Sequence, residues 1–225
     1  MSLINLGLVF VAGVDLGMCF LILFLNPRNK INLFISLTTF ALAGWTFGMG
    51  MFRSAGIEWQ AWVWTWVQNG FGSLIPVFLF FVSIYFPYKS VVLKSWQLAA
   101  IFLSLVWMFI VVLIPGFWIK SIIMNVPNNS YQMNRLGIGY FNLHFYFYLV
   151  LAYIIFYKKF IVSSGILRTQ LTYFIFSTII VAVMGSIFGA IIPLLYNNLG
   201  LYWIGPYFAV PTMLILLSFI FRTNR

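Results

Sequence analysis

The sequence predicts an all-α, polytopic membrane protein: a seven-transmembrane helix bundle with its N-terminus outside and its C-terminus in the cytoplasm. Three observations carry that expectation. Of 225 residues, 64% are apolar, 21% aromatic and only 6% charged. A water-soluble domain carries roughly 45–50% apolar and about 25% charged residues. The apolar residues are gathered into seven long runs, and the basic residues fall between them. A soluble enzyme, a nucleic-acid-binding domain and a disordered chain are therefore excluded. The net charge of +10 reads as a membrane-topology signal and not as a nucleic-acid footprint. A single cysteine, Cys19, excludes an intrachain disulfide and a multi-cysteine metal site.

A helix needs about 20 mostly apolar residues to cross a hydrocarbon core of roughly 30 Å, and its backbone must satisfy itself there. The first such run is Ile4 to Leu25. It lacks a basic leader and a small-residue cleavage site and is too long for a signal peptide, so it is expected to be retained. The second and third runs are Ile31 to Phe52 and Ala61 to Phe86. The fourth is Trp96 to Pro115. The fifth, Ile138 to Tyr157, is the weakest, because Asn142 and His144 interrupt its aromatics. The sixth and seventh are Leu171 to Leu195 and Leu201 to Phe221. The longest connecting piece, Gly116 to Gly137, is too short for a soluble domain, so residues 1–225 form one unit.

Orientation follows from the lysine and arginine distribution. Arg28, Lys30, Lys89, Lys94, Lys158, Lys159, Arg168, Arg222 and Arg225 fall on one side; Arg53, Lys120 and Arg135 fall on the other. The richer side is expected to be cytoplasmic. Trp59, Trp62, Trp64 and Trp66 then lie at the outer mouth of the third span, as an interfacial aromatic belt.

Polar groups within the spans carry the informative chemistry, since each is costly unless paired or hydrated. Asp15, one of two acidic residues, sits midway along the first span, about 16 Å deep at 1.5 Å per residue. His144 lies about 9 Å inside the fifth span by the same arithmetic. A direct contact between them needs tilt or a bridging water. Gln68 and Asn69 lie at intermediate depth in the third span, and Arg53 and Glu58 flank its entrance. Asp15, Arg53, Gln68, Asn69 and His144 are thus the candidate ligand-sensing residues of an outward-facing cavity. The same groups also suit interhelical hydrogen bonding.

Gly44 with Gly48, and Gly185 with Gly189, have the four-residue spacing that lets helices approach closely, within the bundle or in a dimer. Pro76, Pro193, Pro206 and Pro211 free backbone carbonyls or bend helices. Asn128-Asn129-Ser130 matches a glycosylation acceptor. Other membrane functions lack their chemistry. A retinal protein needs a lysine deep in a helix, and all six lysines are expected in loops. An ATP-driven pump needs a phosphate-binding loop or catalytic domain. Only Asp15 and His144 are available as an acid/base pair. No enzyme activity and no cofactor are expected.

Several stretches resemble a known family, the seven-transmembrane N-terminal sensor region of bacterial histidine kinases. NPRNKINLFISLTTFALAGWTFG, Asn26 to Gly48, is similar to its Asn-rich basic turn followed by a span with a central tryptophan, here Trp45. Ile75-Pro76 followed by Phe80 and Phe81, and Gly139-Tyr140 opening the fifth span, resemble further family features. Ser163 to Leu195 resembles the Gly, Arg, Gln entry into a glycine-containing sixth span, and Gly205-Pro206 fits the last one. The resemblance implies a sensory bundle that relays a signal to a cytoplasmic output; it carries over no ligand residue. The chain stops at Arg225, and its one histidine, His144, is intramembrane, so kinase activity is not expected of it. It either acts through a separate partner or is a fragment of a longer kinase. The expected function is a plasma-membrane receptor-like module, in which the sixth and seventh helices shift on binding a small ligand. Its partners are the bilayer and a cytoplasmic signalling protein contacted through Lys158 to Gln170 or Arg222 to Arg225. The alternative is a small carrier or channel using Asp15.

Overall fold

The computed structural model describes residues 2–192, 195 and 201–211. Six helices in it are long and apolar enough to cross a membrane. They are α1 (Leu3–Leu25), α2 (Lys30–Ser54), α3 (Glu58–Tyr85), α4 (Ser95–Leu113), α5 (Arg135–Val162) and α6 (Gly165–Ser186). The last continues as a π-helical turn, Ile187–Ile191. Of the predicted seventh span, Tyr202–Phe208 forms a 3₁₀ helix. The remainder from Thr212, the basic tail Arg222 to Arg225, and Pro193 lie outside the described residues.

Local chemistry sets most helix starts. The Ser2 hydroxyl accepts from the Asn5 amide at 3.3 Å, and Asn29 and Asn134 cap α2 and α5 in the same way. Along α1, Asn5, Leu8, Val11, Ala12, Asp15, Met18, Cys19 and Ile22 are buried, a stripe at helical spacing that faces its neighbours. The other faces leave Phe10, Phe20 and Phe24 uncovered, as lipid-facing residues are. Helices α1, α2 and α3 pack in chain order, with α5 against α3. Gly44 and Gly48 serve that packing: a Cβ on Gly48 would stand 2.8 Å from the Gln68 amide nitrogen, so α2 and α3 touch backbone to backbone. Of its most apolar stretch, α3 buries 67% and α6 only 11%.

Two findings change the expected layout. The fifth helix runs on past Tyr157 to Val162, and the sixth begins at Gly165, so the expected loop Lys158 to Gln170 reduces to Ser163 and Ser164. The lysines are accordingly not all in loops; Lys30 opens α2, and Lys158 and Lys159 belong to α5. The piece Gly116 to Gly137 contains an antiparallel hairpin, β1 (Ile119–Ile123) with β2 (Ser130–Met133), pairing Ile122 with Tyr131 and Ile123 with Ser130. Its turn folds back on the bundle. The Asn129 side chain donates to the Phe52 and Ala55 carbonyls at 3.0 and 2.8 Å, capping the C-terminus of α2.

The buried apolar residues form two clusters. One, at the hairpin end, joins Leu8, Met49, Phe52, Trp118, Tyr131 and Tyr202. The other, toward the opposite end, joins Ile22, Leu42, Val77, Phe80, Phe156 and Phe174. Trp45, midway along α2, packs against both.

Candidate functional site

Between the two clusters lies a cavity of about 160 Å³. α2 lines it with Leu42, Trp45 and Met49, and α3 with Gln68, Asn69, Gly72 and Ile75. α5 adds Phe141, Asn142, Tyr146 and Leu149; α6 adds Thr178, Ala182, Gly185 and Ser186. The hairpin closes one end with Trp118 and Tyr131, and Tyr202 completes that roof. Two backbone irregularities border the space. Pro76 removes the amide that would bond the Gly72 carbonyl. The π turn gives Gly189 and Ala190 to the cavity while Ile187 and Ile191 line a second, neighbouring cleft.

The lining is mostly apolar, with polar atoms gathered under the roof. The Gln68 amide donates to the Tyr131 hydroxyl at 3.4 Å, and the Asn69 amide to the Thr65 carbonyl at 2.8 Å. Burial pushes the Tyr131 hydroxyl above its ordinary range, opposed in part by the Gln68 bond, so it stays a neutral phenol. The Gln68 Oε1 and Trp118 Nε1 atoms are buried with no hydrogen-bond partner among the described residues. The Tyr202 hydroxyl lies near the Arg53 guanidinium without a hydrogen bond of full geometry. Buried polar atoms without partners are uncommon in folded proteins, and each is costly. An apolar cavity with a few convergent polar atoms has the ordinary make-up of a small-molecule site.

Gln68 and Asn69 line this cavity; the other three predicted residues are elsewhere. Arg53, 5% exposed, donates through Nε to Asn5 Oδ1 at 2.9 Å and through Nη2 to Asn128 Oδ1 at 2.7 Å. Its guanidinium carbon stands 6.0 Å from the centre of the Tyr202 ring, one side chain behind the roof. Asn128, the apparent glycosylation acceptor, is thus a partner of Arg53. Asp15 is fully buried in the α1–α2 seam, and α1 lines no part of the cavity. Asn5 meets Arg53, Leu8 meets Gly50 and Cys19 lies by Thr39, so Asp15 falls level with Ala43. Neither carboxylate oxygen has a partner among the described residues. His144 faces α3 beside the Ser73 backbone, its ring 5.1 Å from that of Tyr148, and Nε2 has no hydrogen-bond partner among the described residues. Asp15 and His144 do not meet.

Trp118, Tyr131 and Tyr202 were not among the expected site residues. A readable signal for two of them was the isoleucine-rich run Ile119 to Ile123, the Pro-Asn-Asn turn and the alternating run Ser130 to Met133, a hairpin pattern. Among the described residues, no group of His, Cys, Asp and Glu side chains gathers to hold a metal ion. Compared with protein-family models, curated proteins and solved structures, the chain matches none.

Proposed function

We propose that this chain is a non-enzymatic sensory module of a bacterial plasma membrane. In this reading it crosses the bilayer seven times, with the hairpin outside, and relays occupancy of the roofed cavity to a cytoplasmic signalling partner. The cavity is the observation that carries the reading. It is built from four helices and a hairpin, so an occupant touches α3, α5 and α6 together. A ligand that contacts two arrangements of those helices differently shifts the population between them. Lysine and arginine distribution supports the orientation, and the resemblance to histidine-kinase sensor regions supports the class of output.

The test places a photo-crosslinking amino acid at Ser164 or Leu167, both exposed near the α5–α6 link, in native membranes. The expected product is an adduct with a protein bearing a cytoplasmic kinase, cyclase or comparable signalling domain. Absence of such an adduct at both positions would overturn the relay. A second reading, a carrier, is favoured by one observation: the unpartnered, buried Asp15 carboxylate. It predicts solute or proton flux in liposomes that Asp15→Asn abolishes. No flux from the intact protein ends it.

A further inference from the structure

The cavity is not closed on all sides. Along the interval between α5 and α6 runs an apolar cleft of about 810 Å³, lined by residues such as Tyr153, Phe160, Ile175, Ile179 and Val183. Tyr146, Leu149, Ala182 and Ser186 line both spaces, so the cleft adjoins the cavity. On α6, Phe176, Ile179 and Val183 are exposed, as residues of a lipid-facing helix are. From Tyr146 to Phe160 the cleft follows α5 for about 21 Å at 1.5 Å per residue. That is longer than half of the roughly 30 Å core which the chains of one leaflet fill.

We propose that the cleft admits a long-chain fatty acid from the hairpin-side leaflet, its chain between α5 and α6 and its carboxylate under Trp118. The direction matches that of a lipid in this leaflet, with the polar end at the hairpin and the tail toward mid-membrane. Trp118 Nε1 is a donor only and has no acceptor among the described residues, and the Tyr202 hydroxyl is a second available donor. Gln68 becomes a third if its amide turns over, since it then accepts from Tyr131 and presents its NH₂ to the head. Behind Tyr202 stands Arg53, whose charge has only neutral partners. Glu58 bonds to Trp62, and Asp15 has no partner among the described residues. Three donors backed by an unneutralised cation favour an anionic, accepting head over a neutral or cationic one.

This assignment names the ligand of the proposed sensor, and its test is separate from that of the relay. Full-length protein in phosphatidylcholine liposomes is labelled with a 16-carbon fatty acid bearing a diazirine in its chain, and the adducts are mapped. The expected labels fall on the α5–α6 cleft and are competed by palmitate but not by methyl palmitate. Ala182→Trp, which fills the junction, removes them. Trp118→Phe keeps the ring and loses one donor, weakening palmitate competition about tenfold, the effect of one bond to a charged group. Labels confined to the lipid faces of α1 and α4 would overturn the proposal, as would competition by the methyl ester equal to that by the acid. So would unchanged competition in a Trp118→Phe protein of normal thermal stability. Specific labelling without a partner adduct at Leu167 keeps the lipid site and removes the relay; the reverse pair of results removes the lipid site alone.

Discussion

Two cations are buried at opposite ends of this bundle, and they are held in different ways. Lys159, 2% exposed, donates to the Ile84, Phe86 and Tyr88 carbonyls at 3.0, 2.8 and 2.5 Å, with its ammonium 5.0 Å from the centre of the Tyr88 ring. These carbonyls come from the last turn of α3 and the residues just past it, at the negative pole of the helix dipole. Arg53 takes its oxygens from Asn5 on α1 and Asn128 in the hairpin turn, with Tyr202 as a ring wall. Lys159 therefore fastens one helix to one neighbour. Arg53 gathers three segments far apart in sequence. Neither uses a carboxylate: oriented neutral oxygens replace a counter-ion in a chain with only two acidic residues.

The largest effect is expected where one buried side chain bonds the most backbone carbonyls. Lys159→Met keeps the aliphatic stem and strands the Phe86 and Tyr88 carbonyls just past the α3 terminus, so stability should fall by about 3 kcal/mol. Reversible unfolding in mixed micelles measures it. A loss within error of zero would mean that water reaches those carbonyls. Arg53→Met should cost less, about 2 kcal/mol, because Asn5 and Asn128 can re-pair. Arg53→Lys sharpens the contrast, since a point charge cannot reproduce two diverging bonds and should recover little. Asn129→Ala releases the hairpin from α2, with an expected cost of about 1 kcal/mol and faster amide exchange confined to residues 119–133. Exchange spreading into α2 instead would show that the Asn129 cap holds the helix and not the turn. The smallest change is Tyr88→Leu, which removes a ring beside Lys159 and should cost about 0.5–1 kcal/mol.

The same two residues show what was legible in the sequence. Hydropathy located α1 to within one residue at its start, because its whole length meets lipid or apolar neighbours. It ended the fifth span at Tyr157 because two lysines follow. The helix continues because Lys159 is bonded to the α3 carbonyls, a tertiary fact that no local window contains. Likewise Arg168 and Thr169 delay the apparent start of α6, although both sit on exposed helical positions. For the site, depth along a span was readable and direction around it was not. Gln68 and Asn69 have both the depth and the direction to line the cavity. Asp15 belongs to a stripe with Ala12 and Cys19 that turns into the α1–α2 seam, and His144 turns toward α3. Trp118 and Tyr131 reach the cavity only because the hairpin folds over it, tied down by Asn129.

The two-residue join between α5 and α6 has a mechanical consequence. Gly165 opens α6 at φ +56°, a left-handed value that glycine adopts freely and other residues adopt at a cost. Further along α6, Phe174 rests on Phe86 and Phe156 at 4.8 and 5.2 Å, and near the far end Gly185 packs against Gly205 of the 3₁₀ helix. The arrangement is that of a compass: two legs joined by a pivot at the serines, the tip of the α6 leg resting on the 3₁₀ helix Tyr202–Phe208. From Gly165 to Ser186 the leg is about 33 Å long at 1.5 Å per residue, so a swing of about 5° carries its tip about 3 Å. Whatever wedges the tips apart beneath the roof thereby twists the serine pivot, at the face of the bundle that lies farthest from the wedge.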